Sequence, residues 1–120
     1  MNMTTFDFGN GPVPAHKHPN GGGWVADTAT VSNTAYVGPD ATVFGNAQVF
    51  DNAQVFDNAW VFDYARVFGK AQVFDDAQVF GNARVFGNAR VFDYAQTSND
   101  AEEDMFIEMN GKRYKLVEIE

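Results

Sequence analysis

The chain has 120 residues, a formal net charge of −8 and no cysteine. That length bounds it to one domain with short appendages. The negative balance argues against a phosphate-binding surface and hence a nucleic-acid partner. The missing thiols exclude disulfides and cysteine nucleophiles. No apolar run is long enough to span a membrane as a helix.

The segment Met1 to Phe8 carries neither the basic stretch nor the apolar core of a secretion signal, so the cytoplasm is the expected compartment. Residues 1–22 hold Gly9-Asn10-Gly11, Pro12, Pro14, Pro19 and Gly21-Gly22. These residues favour turns over regular structure, which predicts an irregular lead-in that caps the chain beyond residue 22. His16-Lys17-His18 places two imidazoles on one side of an extended segment, a minimal metal arrangement. The surrounding Pro and Gly predict a loop instead, with the two His as a surface pair.

From Val25 to Gln96 twelve consecutive hexads repeat Val-x-x-x-Ala-x without a skipped beat. A fixed short period is the signature of a solenoid. In each Ala-x-Val triplet the two apolar residues are two apart, so both fall on one face of a strand. The three residues between triplets, such as Phe44-Gly45-Asn46 or Phe50-Asp51-Asn52, contain the Gly, Asp and Asn that turns prefer. The unit is a short strand and a corner with Ala and Val pointing inward. Three units close a triangular coil of eighteen residues, and twelve make four coils. At the strand spacing of about 4.8 Å the prism stands roughly 20 Å tall. The pattern fades at Gly23-Trp24-Val25 and at Ala95-Gln96-Thr97, as terminal repeats do, which sets the solenoid at 23–97.

Residues 98–104 form an acidic linker. Residues 105–120 predict a β-hairpin about the turn pair Asn110-Gly111. That hairpin either folds over the last coil and shields its strand edges or pairs with a neighbouring subunit, with Phe106, Leu116 and Ile119 as contact residues.

Val43-Phe44-Gly45-Asn46-Ala47-Gln48 resembles the bacterial hexapeptide-repeat pattern of aliphatic, often Gly, any, often Asn, small, any. The resemblance implies a left-handed parallel β-helix, which makes the expected fold an all-β triangular solenoid of about four 18-residue coils with the C-terminal β-hairpin appended. Many members of that family are trimeric acyltransferases and a few are zinc carbonic anhydrases. The position after Val, usually small in the family, is Phe nine times here. In this the chain is similar to the aromatic-rich YdcK-type bacterial β-solenoids.

Residues eighteen apart stack, which sorts the outside of the prism into columns. Phe44, Phe62 and Phe80 form one, Phe50, Phe68 and Phe86 a second, and Phe56, Phe74 and Phe92 a third. Strict alternation points these rings outward beside the corners. Stacked rings shield one another and the corner backbone; they also offer enough apolar surface for an oligomer contact. The flat faces carry the middle residues of the triplets. One holds Thr30, Gln48, Arg66 and Arg84, another Tyr36, Gln54, Gln72 and Arg90, and the third Trp24, Thr42, Trp60, Gln78 and Gln96. Solvated faces that blunt sheet aggregation explain them. Alternatively Arg66, Arg84, Arg90 and Trp60 hold a small anionic or planar ligand, such as a nucleotide, by charge and stacking. Asp57, Asp75 and Asp93 share a corner column, as hydrated turn residues or around a calcium ion.

No His lies between 25 and 96 and no loop interrupts the coils, so the catalytic imidazole and acyl-donor loops that the resemblance implies have no counterpart. Two His fall short of the three that a zinc carbonic anhydrase needs. No catalytic residue, metal or cofactor is expected. The expected function is that of a non-catalytic structural or binding module from a bacterium or phage, assembled as a homo-oligomer with a trimer favoured. The alternatives are an oligomer that sequesters a small anionic ligand or blocks a host protein, and a small acyltransferase of the hexapeptide class.

Overall fold

A computed structural model describes residues 4–97. The acidic linker, the C-terminal hairpin and its Phe106, Leu116 and Ile119 lie outside the described residues. Within them the chain has strands and turns and no helix. Each Ala-x-Val triplet contributes one strand of two residues, because the corner residues on either side leave no room for more.

Every third strand stacks in parallel and in register, which makes three sheets along the prism. The first runs β1 (Thr5–Asp7), β2 (Pro12–Lys17), β3 (Trp24–Ala26), β6 (Thr42–Val43), β9 (Trp60–Val61), β12 (Gln78–Val79) and β15 (Gln96–Thr97). The second stacks β4 (Thr30–Val31), β7 (Gln48–Val49), β10 (Arg66–Val67) and β13 (Arg84–Val85). The third stacks β5 (Tyr36–Val37), β8 (Gln54–Val55), β11 (Gln72–Val73) and β14 (Arg90–Val91). The pairing Val25↔Val43↔Val61↔Val79 confirms the eighteen-residue coil. The solenoid therefore makes about four turns.

The core is the inward Ala and Val of every coil. Ala47, Val49, Ala53, Val55, Ala59 and Val61 are wholly buried, and so are their equivalents in the next coil. Burying each Val contributes about 1.5–3 kcal/mol. Backbone donors between coils are satisfied at the strands, as in Gln48 N–H to Ala65 O at 2.9 Å, and at the corners, as in Asn58 N–H to Asp75 O at 2.8 Å.

Each corner closes with a hydrogen bond from the Ala N–H to the carbonyl three residues back, such as Ala59 to Phe56 at 3.3 Å. In the nine corners that follow a Phe, the next residue has φ between 57° and 68°. Those positions are Gly45, Asp51, Asp57, Asp63, Gly69, Asp75, Gly81, Gly87 and Asp93. Gly adopts this region freely and Asp better than most, which accounts for the alternation of these two residue types.

Residues 4–22 depart from the expected irregular lead-in. β1 and β2 form an antiparallel pair with Phe6 opposite Val13, and β2 runs antiparallel to β3 with His16 opposite Val25. Pro12 and Pro14 are compatible with this strand because their missing N–H groups face past the end of β3. There only a carbonyl is used: Pro14 O accepts from Asp27 N–H at 2.9 Å. The turn after β2 covers a second sheet edge. Val37 N–H donates to Asn20 O, and Gly23 N–H donates to Val37 O, both at 3.0 Å. Gly21, at φ +119°, passes so close that a Cβ there would lie 2.1 Å from Val37 O.

Candidate functional site

The Phe columns are ladders. Phe44 stacks on Phe62 at 4.9 Å and 3°, Phe50 on Phe68 at 4.9 Å and 1°, and Phe56 on Phe74 at 5.1 Å and 3°. The next rungs continue to Phe80, Phe86 and Phe92 at 5.4, 5.1 and 5.5 Å. Parallel coils place equivalent Cβ atoms one strand spacing apart, so flat rings at one angle fill the gap between layers. All nine are half-buried beside their corners. Among the described residues, the large apolar or aromatic side chains most exposed are instead Trp60 at 39%, Tyr64 at 62%, Tyr94 at 60% and Val13 at 39%.

The first ladder is longer than its Phe positions. Phe8, carried by the β1–β2 hairpin, stacks on Phe44 at 4.9 Å and 17°. Phe6 stacks on Trp24 at 4.8 Å, and the Lys17 ammonium lies 5.6 Å from the centre of the Trp24 ring. Trp60 meets Phe44 and Phe62 edge-on at 6.0 and 6.3 Å. In sequence Phe6 and Phe8 stand outside the repeat, and their alternation was the one sign that they share a face.

The faces carry the expected columns. Arg66 pairs with Arg84 across adjacent coils, with Gln48 and Thr30 in the same column. Both guanidinium groups are exposed. Arg90 belongs to the third sheet, paired with Gln72, and Trp60 to the first. The four residues of the candidate ligand face are therefore divided among three faces, and only Arg66 and Arg84 come together. In the first sheet Thr42 is paired between Trp24 and Trp60, and its hydroxyl is buried with no hydrogen-bond partner among the described residues.

The acidic column resolves its own repulsion. Asp57 Oδ2 accepts from Asp75 N–H at 3.2 Å, and Asp75 Oδ2 accepts from Asp93 N–H at 3.0 Å. Asp51 and Asp63 do the same for the N–H groups of Gly69 and Gly81, both at 3.1 Å. Each carboxylate serves the left-handed residue one coil further on. Among the described residues no group of three or more His, Asp or Glu is arranged to hold a metal ion.

The two His are not a surface pair. His16, on β2, is half exposed and its Nδ1 lies 2.7 Å from Asp27 Oδ1. His18 is 2% exposed, and its Nε2–H donates to Ala35 O at 2.8 Å. The Asn20 amide donates to the same carbonyl at 3.0 Å. Sequence missed this role because a buried His that caps one carbonyl leaves no periodic trace.

A triangular stack of short parallel strands around a Val/Ala core, with one residue of each triplet outward, defines a β-solenoid. The model of the YdcK beta solenoid repeat matches residues 77–91 and 83–99. The chain is thus a β-solenoid, and its residues 77–99 are similar to that repeat. No curated protein and no solved structure matches it. Among the described residues, no helix is long and apolar enough to cross a membrane.

Proposed function

We propose that this β-solenoid is a non-catalytic structural or binding module of a bacterium or phage, cytoplasmic and assembled as a homo-oligomer, with a trimer favoured. The observation that supports this reading best is the set of three Phe ladders running through an uninterrupted coil. They fill the space between layers that the in-register coils set, so the outward columns make regular display surfaces. Both imidazoles already have partners of their own, Asp27 and the Ala35 carbonyl, which favours a structural over a catalytic role for each. Sedimentation of the wild type at high micromolar concentration tests the assembly. A discrete mass above the monomer supports it, and a monomer overturns it. Exchanging Phe62 and Phe68 for Ser lowers that mass if these rings reach the contact. If they serve only their ladders, it lowers the melting temperature and leaves the mass unchanged.

A second reading is favoured by the register of Arg66 on Arg84. Two exposed guanidinium groups one strand apart suit a small anionic ligand such as a nucleotide. Native mass spectrometry of the purified protein, with nucleotide added and withheld, distinguishes the two readings. Binding of an acetyl donor in the same assay would bring back an acyltransferase.

A further inference from the structure

We infer that the corner above Phe56 is a binding site for a small aromatic ammonium ion. The argument begins with a level that the ladders lack. One coil before Phe44, Phe50 and Phe56 stand Ala26, Ser32 and Gly38, so all three ladders begin in the second coil. On the first ladder the chain brings in a ring from elsewhere: Phe8 occupies the level of Ala26 and stacks on Phe44. The molecule thereby shows what the free end of a ladder accepts, a flat ring at stacking distance.

On the third ladder Phe56 stacks on Phe74, and no ring of the described residues covers its other face. A cavity of about 350 Å³ lies there instead, lined by Tyr36, Pro39, Asp40, Gln54, Phe56 and Asp57. Gly38 itself is packed closely, a Cβ there lying 3.1 Å from Phe56 Cβ, and it brings no ring of its own to stack on Phe56. The volume is at the small end for ligand pockets, which suits one ring with a short arm. Phe56 provides the stacking face, and Tyr36 and Pro39 supply apolar walls.

The charge of the ligand follows from the rest of the lining. Asp40 and Asp57 are both exposed, and no basic side chain lines the cavity. Asp57 spends one oxygen on Asp75 N–H and keeps the other for a ligand. An aromatic anion meets two carboxylates here, and a bare metal ion meets Phe, Tyr and Pro. An ammonium group on a short arm reaches the carboxylates while its ring completes the ladder, gaining charge-assisted hydrogen bonds and stacking together. The site does not depend on the self-association proposed above.

The test is a titration of the isotope-labelled full chain with 2-phenylethylammonium, followed by the amide resonances. Butylammonium supplies the charge without the ring, and 3-phenylpropionate the ring with the opposite charge. Saturable shifts centred on Tyr36, Asp40 and Phe56 are expected, with affinity at least about tenfold above either control. The double variant Asp40→Asn, Asp57→Asn keeps a side chain that tolerates the left-handed turn and still accepts from Asp75 N–H. It is expected to fold and to lose the preference for the ammonium over 2-phenylethanol. The proposal is overturned by shifts centred elsewhere, by absence of saturable binding, by equal affinity for 3-phenylpropionate, or by an undiminished ammonium preference in the double variant.

Discussion

Asp57 stands one coil above Asp75, and its carboxylate accepts the Asp75 backbone N–H at 3.2 Å. Both residues have left-handed φ, 57° and 58°. The same side chain thus tolerates the corner and satisfies a donor in the next one. For Asp75, which passes this bond on to Asp93, exchange to Ala loses both properties and is expected to cost about 1–3 kcal/mol. Asn keeps both and is expected to stay within about 0.5 kcal/mol. Urea midpoints separate these outcomes, and equal losses in the two variants would dissolve the account.

The inward assignment of the repeat has its sharpest check at Val61, wholly buried in the third coil. Val61→Asp places a charge among Val and Ala with no partner, and a loss of at least about 3 kcal/mol is expected. Thermal melting by circular dichroism measures it. An unchanged melting curve is incompatible with the core described.

The two imidazoles should respond differently. His16→Ala removes a half-exposed pair with Asp27 and is expected to change stability by no more than about 1 kcal/mol. His18→Ala removes a buried donor to the Ala35 carbonyl and opens space at the capped end, for a loss of about 1–3 kcal/mol. Hydrogen exchange should rise at Tyr36 and Val37 before it rises in the central coils. Equal behaviour of the two variants would show that the buried contact contributes nothing.

Thr42 offers a gain. Its hydroxyl is buried without a partner between Trp24 and Trp60. Val has nearly the same shape and no polar atom, so Thr42→Val is expected to raise stability by about 1 kcal/mol. A lower melting temperature would mean that the hydroxyl is satisfied in solution.

The repeat was legible because burial acts on every coil in the same way. Val and Ala at spacing two point to one face, and their recurrence over twelve hexads leaves one register. The stacking of Phe44 on Phe62 follows from that register alone. The segments outside the period were harder. Pro12 and Pro14 discouraged a strand, yet their position beside an outermost strand and past the end of β3 removes the objection. The single-use contacts of Phe8 and His18 depend on how the hairpin folds back, which no local pattern encodes. For the candidate ligand residues, the column numbering already separated Arg66 and Arg84 from Arg90 and Trp60, and the sheets keep that separation. The vacant level above Phe56 was also readable in principle, since Gly38 stands eighteen residues before it.

Because neighbours are eighteen residues apart, this chain does arithmetic in two moduli. Adding or removing six residues preserves inside and outside, since Val still follows Ala at the same spacing. It also slides every later column onto the next face relative to the earlier ones, so that a change between Arg66 and Arg84 would part them, and the chain would leave the prism a third of a turn away. Eighteen residues can be added with all columns conserved, and the rod simply grows by one layer of about 4.8 Å. Length and surface pattern are therefore separately heritable: duplication by threes of hexads acts as a ruler, and duplication by ones as a switch of face.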